Sequence, residues 1–222
     1  MTTLARVRVW DLPTRLFHWL LVLCFVGSFV TAKTGGNAMV WHFRFGYVIG
    51  ALLLFRLLWG VFGGYWSRFT QFALGPKRVL GYVVGTSHPQ DDIGHSPTGA
   101  WAVLLMLVLL MAQVATGLLS DDEIAFAGPL TRFVSGAVVG QATGYHKDIG
   151  QYVLLGLIAL HLLAVAFYIF KLKKPVLAAM LHGDKQLSTT TPASRDGMSV
   201  RLWALVVAAL CAGLMAWVAG LG

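Results

Sequence analysis

The stretch YHKDIGQYVLLGLIALHLLAVAFYIF, residues 145–170, decides the fold. It is a continuous apolar run, not a period-two alternation, and a helix of about 20 such residues crosses the ~30 Å hydrocarbon of a bilayer. Yet it keeps two imidazoles, His146 at its start and His161 well inside. A lipid interior offers an imidazole little to bond with, so ionisable side chains at such depth point to function.

Working outward, the whole chain shares this character. Its 222 residues are 57% hydrophobic and 12% charged, with a mean hydropathy of +0.72, which excludes an ordinary soluble domain. Five stretches qualify as spans, roughly Leu16–Ala32, Met39–Phe62, Thr98–Leu119, His146–Phe170 and Leu202–Gly222. The expected fold class is an all-α integral membrane protein. A closed β-barrel is excluded because the runs do not alternate.

The net charge of +8 follows topology and implies no nucleic-acid partner. Arg6, Arg8 and Arg15 precede the first span, Arg68, Lys77 and Arg78 follow the second, and Lys171, Lys173, Lys174 and Lys185 follow the fourth. Asp121, Asp122, Glu123 and Asp148 lie between spans three and four. By the positive-inside rule the N-terminus is cytoplasmic and the C-terminus outside, as five spans allow in a multi-pass membrane protein. Cys24 and Cys211 sit inside apolar runs, so no disulfide is expected, and there is no C-x-x-C-H for covalent haem. The first span lacks an A-x-A-like cleavage site and is read as retained.

Residues 1–185 read as one transmembrane domain, and 186–222 as a polar linker with an additional C-terminal span. The segment QLSTTTPASRDGMS, 186–199, reads as mobile. Residues 120–145 are too long for a plain turn and suggest a short helix lying on the membrane. The fifth span has no ionisable group inside it and reads as a packing or partner-binding helix.

Four of the seven histidines fall within or at the ends of spans: His18, His42, His146 and His161. His42 and His146 both belong at the outer face. His146 and His161 are about 22 Å apart along their helix and about 60° apart in azimuth, so both face one interior. His161 lies about 15 Å from Lys171, whereas His18 is a turn or two inside its own span, so that pair needs tilt or a deeper start of span one. Two stacked imidazole pairs would give axial ligands to two haem irons. Gly46, Gly50, Gly150 and Gly156 would leave room for the macrocycle, and Arg44 or Arg56 would pair a propionate. A lone histidine or glycine in such places is ordinarily an interfacial hydrogen-bonder or a packing residue, and Arg56 would otherwise snorkel. Four histidines at paired depths are harder to assign to chance. Zinc is disfavoured because the ligands fall in two layers, and a proton relay is the alternative.

The segments VRVWDLPTRLFHWLL, WHFRFGYVIGALLLFRLLWGVFGG, DIGHSPTGAW, HKDIGQYVLLGLIALH and KPVLAAMLHGDK, in this order over roughly residues 5–185, make the chain resemble the bacterial cytochrome b561 family. That family includes the b-type subunits of membrane-bound nickel-iron hydrogenases. The resemblance implies a four-helix transmembrane bundle binding two non-covalent haem b groups, each bis-histidine, plus here a fifth helix. It assigns His42 and His146 to the outer haem and His18 and His161 to the inner one. Two departures stand out. The family usually places the span-four histidines one residue closer together, so a bulge near Gly150 or a shifted ligand is expected. GHSP also replaces the commoner GHNP beside His95, which would serve proton exchange at a quinone site, bond a propionate, or cap span three.

The resemblance implies electron transfer across the membrane between the quinone pool (ubiquinone or menaquinone) and a periplasmic redox partner, either a cytochrome c or a hydrogenase-like complex. The acids Asp121, Asp122 and Glu123 would dock a basic partner, or else enforce topology or cap a helix. Two other readings are a stand-alone superoxide:quinone oxidoreductase and a haem-bearing membrane anchor of a larger redox complex. The first would want a cationic outer approach.

Overall fold

The computed structural model describes residues 4–86, 88–188 and 190–222. Among them, five helices are long and apolar enough to cross a membrane, so the chain is an all-helical multi-pass membrane protein. The elements are β1 (Leu4–Arg8), α1 (Leu12–Thr34), α2 (Met39–Phe62), α3 (Pro76–Val83), α4 (Pro97–Leu118), α5 (Gly136–Gly144), a π-helical turn (Tyr145–Gly150), α6 (Gln151–Phe170), α7 (Val176–His182), β2 (Asp184–Ser188) and α8 (Met198–Ala219).

Three expectations change. The first span starts at Leu12, with Pro13 in its first turn, where a missing N–H costs nothing, so His18 stands almost two turns inside the helix. The fourth is a single 35-residue rod, Gly136–Phe170. The short helix expected to lie on the membrane is its opening section, because Gly144 and Tyr145 both keep right-handed helical dihedrals. Of the two consequences expected from the departure from the family's histidine spacing, a bulge near Gly150 or a shifted ligand, the chain has a π-turn at Tyr145–Gly150. That turn takes up one of the fifteen residues from His146 to His161.

The third change concerns residues 186–199, which, Thr189 apart, are anchored. The chain forms two compact units, and this segment belongs to the first, made of residues 4–17, 56–105 and 159–205. Here β1 and β2 form an antiparallel ribbon, with Leu4 opposite Ser188 and Arg8 opposite Asp184. Ser194 Oγ donates to the Val9 carbonyl at 2.7 Å and accepts the Trp66 amide at 3.2 Å. Asp196 accepts the Leu12 amide at the start of α1 and pairs with Arg8 and Arg201. Composition made this stretch look mobile, but buried backbone groups elsewhere in the unit need its polar atoms.

The fixed point of this ribbon unit is Asp11, fully buried. Its carboxylate accepts the Thr14 amide, the Gly64 amide, the Ser67 hydroxyl and the Trp59 indole N–H. So many donors make burial of a charge tolerable. Around it Val9, Trp10, Trp66, Ile93 and Ala179 form an apolar cluster. Gly183 ends α7 with φ +90°, and its carbonyl accepts both the Val9 and Trp10 amides. A Cβ there would lie 2.5 Å from the Trp10 carbonyl oxygen, so only glycine fits this crossing.

The second unit comprises residues 18–55, 106–158 and 206–222. Within it the C-terminal helix turns Val207, Cys211 and Met215 inward along one stripe, and Met215 meets Gly50. The fifth span is thus packed into the fold along one face, which leaves Leu210, Leu214 and Trp217 exposed. Residues 120–130 fold into a loop whose core is Asp122 Oδ1, accepting the amides of Ile124, Ala125 and Phe126. These three bonds hold the Asp122 carboxyl below its ordinary range.

Candidate functional site

The second unit encloses a cavity of about 930 Å³, and His42 and His146 face into it. Their ring centroids are 6.0 Å apart, with planes at 79°. His42 Nδ1 is 2.9 Å from the Ser28 carbonyl oxygen and 3.1 Å from the Ser28 hydroxyl. His146 Nδ1 is 2.9 Å from the Gln113 carbonyl oxygen. A carbonyl can only accept, so both rings donate from Nδ1, which in the neutral tautomer puts the lone pair on Nε2. Fixing the tautomer by a backbone carbonyl is the usual preparation of a metal-binding imidazole.

Gln113 does more than lend its carbonyl. Its Nε2 donates to the His146 carbonyl oxygen at 2.9 Å, so the two residues hold each other in both directions. One turn on, Gly117 lies against the ring, and a Cβ there would stand 2.8 Å from His146 Cε1. Neither residue was singled out in the sequence. The available signal was that Gln113 is the lone amide side chain of span three, followed four residues later by glycine.

Of the glycines expected to leave room, Gly46 lines the cavity with nothing within 4 Å of an added Cβ. Gly156 is likewise open but lies on an exposed face. Gly50 and Gly150 are packing residues, against Met215 and Val114 for the first and Gln113 and Tyr145 for the second. The walls are apolar, including Phe25, Phe29, Phe43, Leu110 and Leu154, while Lys33, Lys147, Asp121, Asp122 and Asp148 stand among the polar lining. Arg44 is exposed with its guanidinium 4.8 Å from the Trp41 ring, and the cavity's own cations are Lys33 and Lys147.

The other predicted residues are placed as follows. His18 is half-buried on α1, edge-on to Trp19 at 4.9 Å. In the ribbon unit, His161 is half-buried on α6. Arg56 is 3% exposed, lies over the Phe69 ring at 4.7 Å, and has no hydrogen-bond partner for Nη1. A buried guanidinium nitrogen without a partner is costly and suits an anionic ligand. His95 is held edge-on between Trp10 and Phe72, at 4.7 and 4.9 Å. Ser96 caps span three, its hydroxyl accepting the Gly99 amide. The serine that replaces asparagine in GHSP therefore keeps a capping oxygen.

The family model of prokaryotic cytochrome b561 matches residues 9–183. The probable Ni/Fe-hydrogenase 1 B-type cytochrome subunit of Escherichia coli K12 is 26% identical over 137 residues, 49% of this chain and 57% of that protein. The chain thus spans little more than half the length of that relative. The probable Ni/Fe-hydrogenase B-type cytochrome subunit of Rhizobium leguminosarum bv. viciae is 22% identical over 213 residues, covering 81% of this chain and 88% of that protein. No solved structure matches.

Proposed function

The chain belongs to the prokaryotic cytochrome b561 family, a membrane b-type cytochrome of electron transfer, and we propose that it relays single electrons across the bacterial inner membrane through two bis-histidine haems. The observation that carries this reading is the prepared imidazole pair, His42 and His146, facing a cavity of about 930 Å³. His42 and His146 would hold the metal of such a group between them, their rings lying 6.0 Å apart at the centroids. Two imidazoles are too few for a protein-only zinc centre, which takes four ligands or three and water. They suit the axial positions of a metal already held by a macrocycle, and the open face at Gly46 gives such a ring room.

A haem bound there supplies reversible one-electron iron chemistry, its potential set by axial ligands, burial and charge. The chain's own residues do the rest. Ser28 and Gln113 orient the imidazoles, the phenylalanines exclude water, and Lys33 and Lys147 offset propionate charge. The second haem is assigned to His18 and His161 on the family pattern, with Arg56 Nη1 as its propionate donor. By loop charge the His42–His146 cavity lies on the periplasmic side, where a hydrogenase-like protein or a cytochrome c exchanges electrons.

Quinone reaction is assigned to the cytoplasmic side. A hollow of about 410 Å³ there is lined by Tyr82, Thr98, Phe167 and Tyr168, with apolar walls and hydroxyl donors suited to a quinone head-group. Tyr168 is seven residues beyond His161, about 10 Å along the helix and nearly on the same face. Its hydroxyl is 2.6 Å from that of Tyr82 and donates to Ser96 at 3.2 Å.

A pyridine haemochrome assay on the full chain tests the core of this reading. Two b-type haems per chain are expected, falling to one in His42→Ala and in His146→Ala. Two haems persisting in either variant would refute the outer ligand pair. Quinol-driven haem reduction, slowed in Tyr168→Phe at unchanged haem content, tests the quinone side.

A further inference from the structure

The π-turn and Gln113 belong together. A π-turn inserts one residue into a helix and breaks the regular ladder of carbonyl acceptors and amide donors where it begins. His146 sits at the second position of the turn Tyr145–Gly150, and its carbonyl takes a donor from another helix, Gln113 Nε2 at 2.9 Å. From the same residue, the Gln113 carbonyl takes the His146 Nδ1 proton at 2.9 Å. Gly150 closes the turn against the Gln113 amide, where any Cβ would collide with Oε1. Gly117 fixes the ring from its other side, with 3.1 Å from an added Cβ to His146 Nδ1. Four contacts from one helical turn of α4 therefore converge on one imidazole and on the irregular backbone that carries it.

We propose that Gln113 is the positioning residue of the outer site: its side-chain amide holds the π-turn open and thereby sets the plane of the His146 ring. Gln113 touches neither iron nor substrate in this role and acts through His146. The extra residue in span four would turn a regular helix by about 100°, and the clamp is what allows it without losing the ligand. The proposal rests on the reading of His146 as an axial ligand.

The test uses the full chain purified with haem, and compares Gln113→Met, Thr116→Val and His146→Ala. Thr116 is the control because its hydroxyl donates within its own helix, to the Ala112 and Gln113 carbonyls, so its loss removes a polar contact beside Gln113 while leaving the Gln113 side-chain amide on the π-turn. Two readouts are taken: hydrogen exchange over residues 145–151, and the low-temperature EPR g-values and midpoint potential of each haem. EPR g-values report the angle between axial imidazole planes, near-perpendicular here at 79°. Gln113→Met is expected to speed exchange in that peptide about five- to tenfold, as for one lost hydrogen bond. It should also move the g-values and potential of the haem that His146→Ala removes, and leave the other haem unchanged. Thr116→Val should do neither. Unchanged exchange and g-values in Gln113→Met, or equal changes in Thr116→Val, would overturn the clamp. Retention of both haems in His146→Ala would instead overturn the ligand reading, while the exchange data still decide the clamp.

Discussion

Two polar centres, one in each unit of this chain, are satisfied in opposite ways. In the ribbon unit a fully buried carboxylate, Asp11, is met by amide, hydroxyl and indole donors from four residues. Ser194 and Asp196 are spent on the backbone and arginines around them. In the cavity unit a backbone carbonyl holds Nδ1 of His42 and of His146, and both residues line about 930 Å³ of space. Polar groups that satisfy one another build structure. Polar groups satisfied by half, on purpose-fixed tautomers, mark where something else completes them.

If that contrast is right, substitutions in the two units should fail differently. The largest effect is expected from Asp11→Ala, which strands several buried donors at about 1–3 kcal/mol each. A total of about 4 kcal/mol or more lowers the thermal midpoint in detergent by at least about 8 °C for a chain of this size. His42→Ala, by contrast, should lose one haem per chain and, measured without haem, change the midpoint little. Equal destabilisation by both would erase the distinction between the units.

A smaller effect sharpens the cavity side. Gly117→Ala sets a methyl group 2.8 Å from His146 Cε1, and overpacking of this kind costs about 1–3 kcal/mol. Haem-to-chain stoichiometry should fall below two at the outer site alone, read from the EPR signal of each haem. On the ribbon side, Ser194→Ala removes two hydrogen bonds, for about 1–2 kcal/mol. Its midpoint should drop by about 2–8 °C with haem content untouched.

The smallest effect is one of pH. Burial pushes the Lys185 ammonium down to about 8, with Asp92 opposing that shift and Lys174 adding to it. Between that value and its ordinary pKa near 10.5 the unfolded chain holds the proton and the folded chain does not. Stability contributed by this group therefore rises with pH across that window. Thermal midpoints between pH 7.5 and about 10 should show this slope in the parent chain and lose it in Lys185→Met, where the carbonyls of Asp92 and Ile93 lose their donor.

The sequence by itself determined what depends on local composition and counting. Apolar run length fixed the five spans, because no water is available there and each backbone must close its own hydrogen bonds. Resemblance to a family whose span-four histidines stand one residue closer together pointed to an irregularity in span four, because one extra residue turns a regular helix by about 100°. Tertiary structure alone decided the partners. Which carbonyls fix the tautomers of His42 and His146, that Gly50 packs on Met215 while Gly46 opens to the cavity, and that residues 186–199 are pinned by Arg8, Val9 and Trp66 all depend on contacts between distant segments. A hydrogen bond or a packed glycine is a property of two surfaces brought together, and a linear pattern carries only one of them.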